Sequence, residues 1–314
     1  MDSEKCKVLL RVLELNNLSA AAAELGYTPS GISRAVASLE KELGVTLLIR
    51  GHGGVRPTPA CQTLLPSLRE LAFWGNLCQE LADQLRGLET GGITVGSAYH
   101  AFDRWLTRLA AEFGRQHPGI QVHIMEGTSS TLADRMDRGE MDFAIISRRE
   151  GHFQWQALCR DPLMVWVPHG HPLEQGFPRS ELERVPFIEI YPGQETDNSR
   201  FFTAQNIRPD VRCKTWDVRT ACSMVQAGLG VAMVNGLTAL TEGNDISAAP
   251  LVPPELVDIG IATPSEGAIS PAARRFASFV AERLEQGDTR ELPNLSLAYG
   301  ALQTKMGSAR NTSE

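Results

Sequence analysis

The feature that most constrains this chain is a spacing of three residues near its N-terminus: Ala22, Gly26 and Ile32. A small side chain lets two helices cross closely, the glycine permits a tight turn, and the isoleucine anchors the second helix against the first. Thr28 and Pro29 form a start signal for the helix that carries Ile32, because threonine caps a helix and proline fits its first position. The segment therefore predicts a helix-turn-helix.

The rest of this segment supplies the other helices that such a unit needs. Lys5–Leu15 has apolar residues at helical spacing, and Ser19 is placed to cap a short alanine-rich helix over residues 20–25. The helix that begins after Thr28 turns three apolar residues inward, namely Ile32, Val36 and Leu39. The alternative is an ordinary three-helix bundle whose charges are only solvated.

The run from Ser19 to Arg50, SAAAAELGYTPSGISRAVASLEKELGVTLLIR, resembles the N-terminal domain of LysR-type transcriptional regulators. The segment 55–60 resembles the wing and the start of the linker helix in that family. Leu48, Pro57 and Cys61 depart from the family pattern, which usually has an aromatic residue, leucine and glycine there. The resemblance implies a winged helix-turn-helix DNA-binding domain over residues 1–60, with double-stranded promoter DNA as partner.

The helix after Thr28 would enter the major groove, where an arginine can donate to guanine. Arg50 and Arg56 flank a glycine-rich hairpin (Gly51, Gly53 and Gly54) and would contact phosphates or the minor groove. The residues expected to bind DNA are Thr28, Ser30, Ser33, Arg34, Arg50 and Arg56.

Charge gives this prediction little support. The chain has a net charge of −7, which by itself argues against a nucleic-acid partner. Residues 1–60 hold seven basic and six acidic residues, so they carry about +1 and the remainder about −8. The DNA prediction therefore depends on the residue pattern.

A long helix is predicted to follow, capped by Thr58 and running to about Leu88. Its leucines (Leu64, Leu68, Leu71, Leu77, Leu81, Leu85 and Leu88, with Cys78) form an apolar stripe close to a heptad repeat. Pro66 is expected to kink it. We interpret residues 61–90 as a linker helix through which two copies dimerise. The alternative is a core helix of the next domain. For the full chain, the resemblance implies a tetramer.

After Gly92 the pattern changes to short apolar strands that alternate with amphipathic helices, which indicates an α/β domain built from parallel strands. The order resembles the effector-binding domain of LysR-type regulators, which is similar to periplasmic binding proteins. The resemblance implies a domain over 91–286 with two subdomains, one from about 91–162 plus 268–286 and the other from about 163–267. Residues 287–314 form a C-terminal tail, and 307–314 are polar enough to predict disorder.

A small-molecule effector would bind between the two subdomains. In open α/β sheets, ligands collect beyond the carboxyl ends of strands and near helix N-termini. The side chains expected there are Ser97, Tyr99, Thr128, Ser129, Ser147, Thr196, Trp216 and Asn235. Each hydroxyl could instead cap a helix. Helix N-termini and the nearby Arg148 favour a small carboxylate as effector.

Other classes of function find less support. The two spaced histidines His169 and His171 have no nearby third donor, so a loop is favoured over a metal site. Gly228-Leu229-Gly230 indicates tight packing and not a dinucleotide site. No local catalytic signature is present, so we expect neither an enzyme nor a cofactor. The six cysteines lack close spacing, although Cys213 and Cys222 could form a redox pair.

The sequence also lacks an export signal and any apolar run long enough to span a bilayer, so we expect a cytoplasmic protein without a membrane partner. RNA polymerase is a candidate partner of such a regulator. Two rivals remain. A solute-binding receptor or enzyme with the same α/β halves leaves residues 1–60 unexplained, and a winged helix that binds only proteins would show no salt-dependent DNA binding.

Overall fold

The computed structural model describes residues 2–51, 54–86, 90–242, 246–265 and 269–286. A helical N-terminal domain with a two-stranded wing is followed by a long helix and then by an α/β domain. In these described ranges, no helix combines the length and the apolar character needed to cross a bilayer.

The N-terminal domain packs three helices around one apolar core, and their bounds are α1 Ser3–Leu15, α2 Leu18–Glu24 and α3 Pro29–Leu43. Ile32, Val36 and Leu39 are fully buried, as predicted. The predicted cap of α2 was wrong. Asn17, and not Ser19, caps this helix, because its side-chain oxygen accepts hydrogen bonds from the backbone N–H groups of both Ser19 (2.9 Å) and Ala20 (3.1 Å).

The wing is an antiparallel hairpin of β1 Leu48–Gly51 and β2 Gly54–Pro57. Leu48, which replaces the usual aromatic residue, turns inward and is buried. Gly54 has a φ of +100°, and a Cβ atom there would lie 2.6 Å from the carbonyl oxygen of Asn16. Only glycine therefore allows the wing to approach the corner between α1 and α2. His52 and Gly53 lie outside the described residues.

The long helix, α4 Pro59–Leu85, differs in surroundings between its two halves. Thr58 caps it as predicted, accepting from the Cys61 N–H at 3.0 Å. Cys61 and Leu68 are buried in the N-terminal core, where α4 packs against α1. Further along, Leu81 is 46% exposed and Leu85 is 90% exposed. The first half is thus a core helix, while the second half presents apolar side chains to solvent. Residues 87–89, where the helix was expected to end, lie outside the described ranges.

The α/β domain contains two neighbouring groups of strands. Its strands are β3 Gly91–Ser97, β4 Ile120–Glu126, β5 Phe143–Ser147, β6 Phe153–Val167, β7 Phe177–Pro178, β8 Pro186–Ile190, β9 Asp210–Thr215, β10 Ala232–Asn235, β11 Ser247–Val252 and β12 Leu256–Pro264. Its helices are α5 Asp103–Gln116, α6 Ser129–Asp137, α7 Asp197–Gln205, α8 Val218–Gln226, α9 Gly236–Glu242 and α10 Pro271–Glu285.

The first group has the strand order β4-β3-β5-β12-β6, and β6 continues into the second group, where it pairs with β10 and β11. In the second group, β11 also pairs with β7, and β8 pairs with β9. The strands β3, β4 and β5 are parallel, but β12 runs antiparallel to both β5 and β6. The prediction of parallel strands is therefore confirmed for β3, β4 and β5 but not at the centre, where the long β6 and its partner β12 form an antiparallel pair.

The return to the first subdomain occurs earlier than the sequence suggested. We expected residues up to about 267 to lie in the second subdomain. However, β12 pairs with β5 of the first group, so the chain has already crossed back by Leu256. Apolar alternation identifies a strand but not the sheet it joins. We therefore propose that the first subdomain comprises residues 91–162 plus 256–286.

Candidate functional site

The outer face of α3 and the adjacent wing form one surface, which we call the arginine face. Thr28 is the N-cap of α3, because its hydroxyl accepts from the Gly31 N–H at 3.1 Å. Ser30 and Arg34 are exposed, and Arg34 Nε donates to the Ser30 carbonyl at 3.3 Å. From the wing, Arg50 Nη1 donates to Ser33 Oγ at 3.0 Å. The structure thus brings the predicted residues of helix and wing side by side.

The ion pairs of this domain explain why its net charge is uninformative. Lys5, Lys7 and Arg11 form salt bridges with neighbouring glutamates, so their charges are internally compensated. Arg34, Arg50 and the exposed Arg56 have no ion-pair partner among the described residues. The uncompensated positive charge is therefore carried by Arg34, Arg50 and Arg56 on α3 and the wing and by Lys41 in the last turn of α3, although the domain as a whole is nearly neutral.

A cavity of about 360 Å³ lies between the two subdomains of the α/β domain, and we call it the cleft. Seven of the eight predicted effector residues line it, namely Ser97, Tyr99, Thr128, Ser129, Thr196, Trp216 and Asn235. Ser147 is the exception. It borders a second, more open groove beside Arg148 and Arg149.

Several hydroxyls of the cleft already have local partners. Thr128 caps α6 by accepting from the Thr131 N–H at 3.2 Å, and Thr196 caps α7 by accepting from the Ser199 N–H at 3.1 Å. Ser97 Oγ accepts from the Tyr99 N–H and donates to the Tyr99 carbonyl. Trp216, in contrast, is 62% exposed at the end of β9 and leaves its ring available to a ligand.

Sequence reasoning missed the charged group that joins the two subdomains. Asp197, the first residue of α7, accepts hydrogen bonds from the first subdomain at both carboxylate oxygens. Tyr99 Oη donates to Oδ2 at 2.7 Å, while Ser147 Oγ (2.6 Å) and Arg149 Nη2 (3.0 Å) donate to Oδ1. The Asp197 and Arg149 side chains are only 9% and 6% exposed. Their sequence separation of 48 residues leaves no local signal that could have revealed this pair.

The surroundings of Tyr99 keep its hydroxyl protonated. Burial raises the pKa of Tyr99 well above its usual value, and the neighbouring Asp197 carboxylate raises it further. The phenol is therefore a stable hydrogen-bond donor to Asp197.

The charges of the cleft do not match a carboxylate ligand. None of the described residues that line the cleft is a lysine or an arginine. Two acidic residues, Glu126 and Asp197, do line it. The sequence suggested Arg148 as the cation. Its guanidinium instead lies over the Trp155 ring, 5.7 Å from the centroid, and borders the other groove. The Arg148 cation expected to favour a carboxylate is therefore not part of the cleft, whereas the N-terminus of α6, the other basis of that expectation, borders it at Thr128 and Ser129.

Other sequence motifs have structural roles. His169 Nδ1 lies 2.9 Å from Ser247 Oγ, and His171 Nδ1 accepts from the Leu173 N–H at 3.2 Å. In the described part of the chain, no group of three or more histidine, cysteine or acidic residues could hold a metal ion. A Cβ atom on Gly230 would lie 2.5 Å from the Pro186 carbonyl oxygen, so this glycine permits the tight packing that was predicted.

Two family models match the chain over nearly its whole folded length. The one described as "Bacterial regulatory helix-turn-helix protein, lysR family" matches residues 4–62, and "LysR substrate binding domain" matches residues 86–285. The chain belongs to the LysR family of transcriptional regulators. It is a DNA-binding regulator with an effector-binding domain, as the sequence resemblance implied.

Curated relatives of this LysR-type regulator are also transcriptional regulators. A probable HTH-type transcriptional regulator, LrrA of Synechococcus elongatus, is 30% identical over 277 residues, which cover 87% of this chain and 90% of that protein. The uncharacterized regulator YvbU of Bacillus subtilis is 24% identical and covers 90% of this chain and 98% of its own.

Solved structures share its fold. Full-length OxyR from Pseudomonas aeruginosa superposes with a TM-score of 0.66 at 19% identity, covering 90% of this chain and 95% of that one. CbnR, a LysR family regulator, superposes with a TM-score of 0.57 at 21% identity, covering 90% and 99%. CbnR has also been solved in complex with its target DNA.

Proposed function

We propose that this regulator binds its operator through the arginine face and is controlled by a small molecule in the cleft. The observation that carries the first part is the placement of Arg34, Arg50 and Arg56. Arg50 contacts Ser33 of α3, next to the exposed Arg34, and Arg56 is exposed on the second strand of the wing; none of the three has an ion-pair partner among the described residues. A protein that neutralises DNA phosphates needs such free cations, whereas paired ones contribute little.

Arg34→Ala is expected to weaken specific operator binding by about 1–3 kcal/mol, because an exposed arginine on the recognition helix can donate to a guanine. Arg56→Ala should instead weaken all DNA sequences alike and reduce the salt dependence by about one phosphate contact. Fluorescence anisotropy against operator and scrambled DNA at several salt concentrations measures both effects. Arg212→Ala, which removes a surface arginine far from α3, is the control. Operator affinity that is unchanged in Arg34→Ala would remove this residue from the interface.

We also propose that α4 is a dimerisation helix. Leu81 and Leu85 form an apolar surface beyond the N-terminal core, and a helix with such a surface is stabilised by burying it against a second copy. A dimer would carry two recognition helices and read a pseudo-palindromic operator. The implied tetramer would need a further contact through the α/β domain.

Charging this surface should break the dimer. Leu81→Glu combined with Leu85→Glu is expected to shift the full chain to a smaller species in sedimentation at tens of micromolar, because a buried charge without a partner is strongly unfavourable. Leu240→Glu, at an exposed leucine of α9, is the control. If the double variant sediments like the wild type, α4 is not the dimer contact.

For the effector, the cleft offers hydroxyls, the aromatic rings of Tyr99 and Trp216, and unsatisfied amide atoms. Asn198 Oδ1 and Asn235 Nδ2 border the cavity and have no hydrogen-bond partner in the described part of the chain. A cavity of this size is within the range of small-molecule sites. A thermal-shift screen of acids, amines and neutral metabolites tests the proposal, since a ligand at one hundred times its dissociation constant adds about 2.7 kcal/mol of stability. Trp216→Ala should weaken the binding of a ligand that occupies the cleft.

RNA polymerase is a further candidate partner, which footprinting of the promoter with both proteins would test.

A further inference from the structure

The Arg149–Asp197 pair gives the first subdomain the geometry of an anion-binding socket. Tyr99, Ser147 and Arg149 all direct donors at one carboxylate, and Arg149 is itself held by its Nε–H, which donates to Ser130 Oγ at 2.9 Å. We call these four residues the socket. Its occupant is the protein's own Asp197, which comes from the second subdomain.

The socket contains the cation that a carboxylate effector in the cleft would need. Asp197 borders both the cleft and the neighbouring groove, while Arg149 borders only the groove, so the carboxylate stands between the cleft and the guanidinium. On the cleft side, Glu126 adds a second carboxylate. An anionic ligand group that enters therefore meets the Asp197 and Glu126 carboxylates before it reaches the guanidinium, although Arg149 compensates the Asp197 charge in part and His100 also lines the cleft.

We propose that Asp197 is a specificity-determining residue that excludes carboxylates from the cleft, so that the effector is a neutral or cationic small molecule. Carboxylates near the cleft favour a positive ligand group by Coulomb attraction, and the rings of Tyr99, Tyr191 and Trp216 can contribute cation–π contacts. This inference rests on the proposed role of the cleft as the effector site.

The test uses acetate, a carboxylate of about the size of the aspartate side-chain terminus, with the full chain. Asp197→Ala should lower the melting temperature because it leaves Arg149 buried without its partner. Sodium acetate should then restore part of that loss, by roughly 3–6 °C at ten times its dissociation constant. Sodium chloride at equal ionic strength should not. Wild type should show no acetate-specific shift, nor should Asp210→Ala, which removes a surface carboxylate ion-paired with Arg212.

A second variant keeps the test valid if Asp197→Ala does not fold. Asp197→Asn preserves the side-chain volume but leaves the Arg149 charge uncompensated, so small carboxylates should bind this variant at least tenfold more tightly than wild type in calorimetry. The proposal is overturned if acetate stabilises wild type as much as the variants, or if it stabilises neither. Because these readouts do not involve DNA, they can fail while operator binding stands.

Discussion

Arg149→Met is expected to destabilise the effector-binding domain by about 3–5 kcal/mol, which is the usual effect of removing one partner from a buried ion pair. The substitution keeps an unbranched apolar stem but removes the guanidinium, so it leaves the Asp197 carboxylate buried opposite an apolar group. Tyr99 and Ser147 would still donate to that carboxylate, but neither carries a positive charge.

Tryptophan fluorescence in urea measures this effect. Residues 1–60 contain no tryptophan and Trp74 on α4 is half exposed, whereas Trp105 and Trp166 are fully buried in the α/β domain, so the change in signal on unfolding comes mainly from that domain. Arg200→Met, which breaks a surface ion pair with Glu195, is the matched control and should change stability by less than about 1 kcal/mol. A comparably small loss in Arg149→Met would mean that the buried Arg149–Asp197 pair contributes no more to stability than a surface ion pair.

The second large effect concerns Asp161, which lies on β6 directly before the strand enters the second subdomain. The side chain is buried and accepts from the Leu237 N–H at 3.1 and 3.3 Å. Burial raises the pKa of Asp161 to about 7, although the Leu237 hydrogen bonds oppose this shift; the Asp197 charge adds to it. The folded state therefore holds a proton that the unfolded chain, with an ordinary pKa of about 3.9, has already released.

This difference makes stability fall as the pH rises. The contribution of the protonated Asp161 to the free energy of unfolding is fully present below about pH 4 and is lost progressively up to about pH 7. The free energy lost over this range is on the order of 4 kcal/mol. Asp161→Asn should remove this dependence and make the protein more stable than wild type near pH 8. Urea unfolding at several pH values measures the difference between the two.

Asp142 provides a comparison for this prediction. Burial raises its pKa to about 6, so Asp142→Asn should flatten the profile only up to about pH 6. If Asp161→Asn and wild type lose stability in parallel between pH 5 and pH 8, Asp161 does not titrate in the folded domain as described.

The helix-turn-helix could be predicted from sequence because its signals are local. The spacing of Ala22, Gly26 and Ile32 and the cap at Thr28 act within one or two helical turns, and the structure confirms the helices they predict. The error at Ser19 arose because Asn17, two residues earlier, is an equally good cap.

The cleft was only partly predictable. Ends of strands and helix starts identified Ser97, Thr128 and Trp216, because the chain direction alone places them at one edge of the sheets. Which way a side chain turns at such an end is set by packing, and Ser147 turns toward Arg149 and Asp197. The contact of Asp197 with the socket joins distant parts of the chain, and so does the pairing of β12 with β5. Neither contact leaves a local signal in the sequence.

Control of operator binding by one ligand in the cleft is tested most directly through linkage between the two binding events. The ligand found in the thermal-shift screen would be titrated into the regulator with and without operator DNA, and operator DNA would be titrated with and without the ligand. We predict that both affinities change by the same factor, on the order of 5–150-fold. A ligand that binds the cleft with the same affinity whether or not operator is present would contradict it.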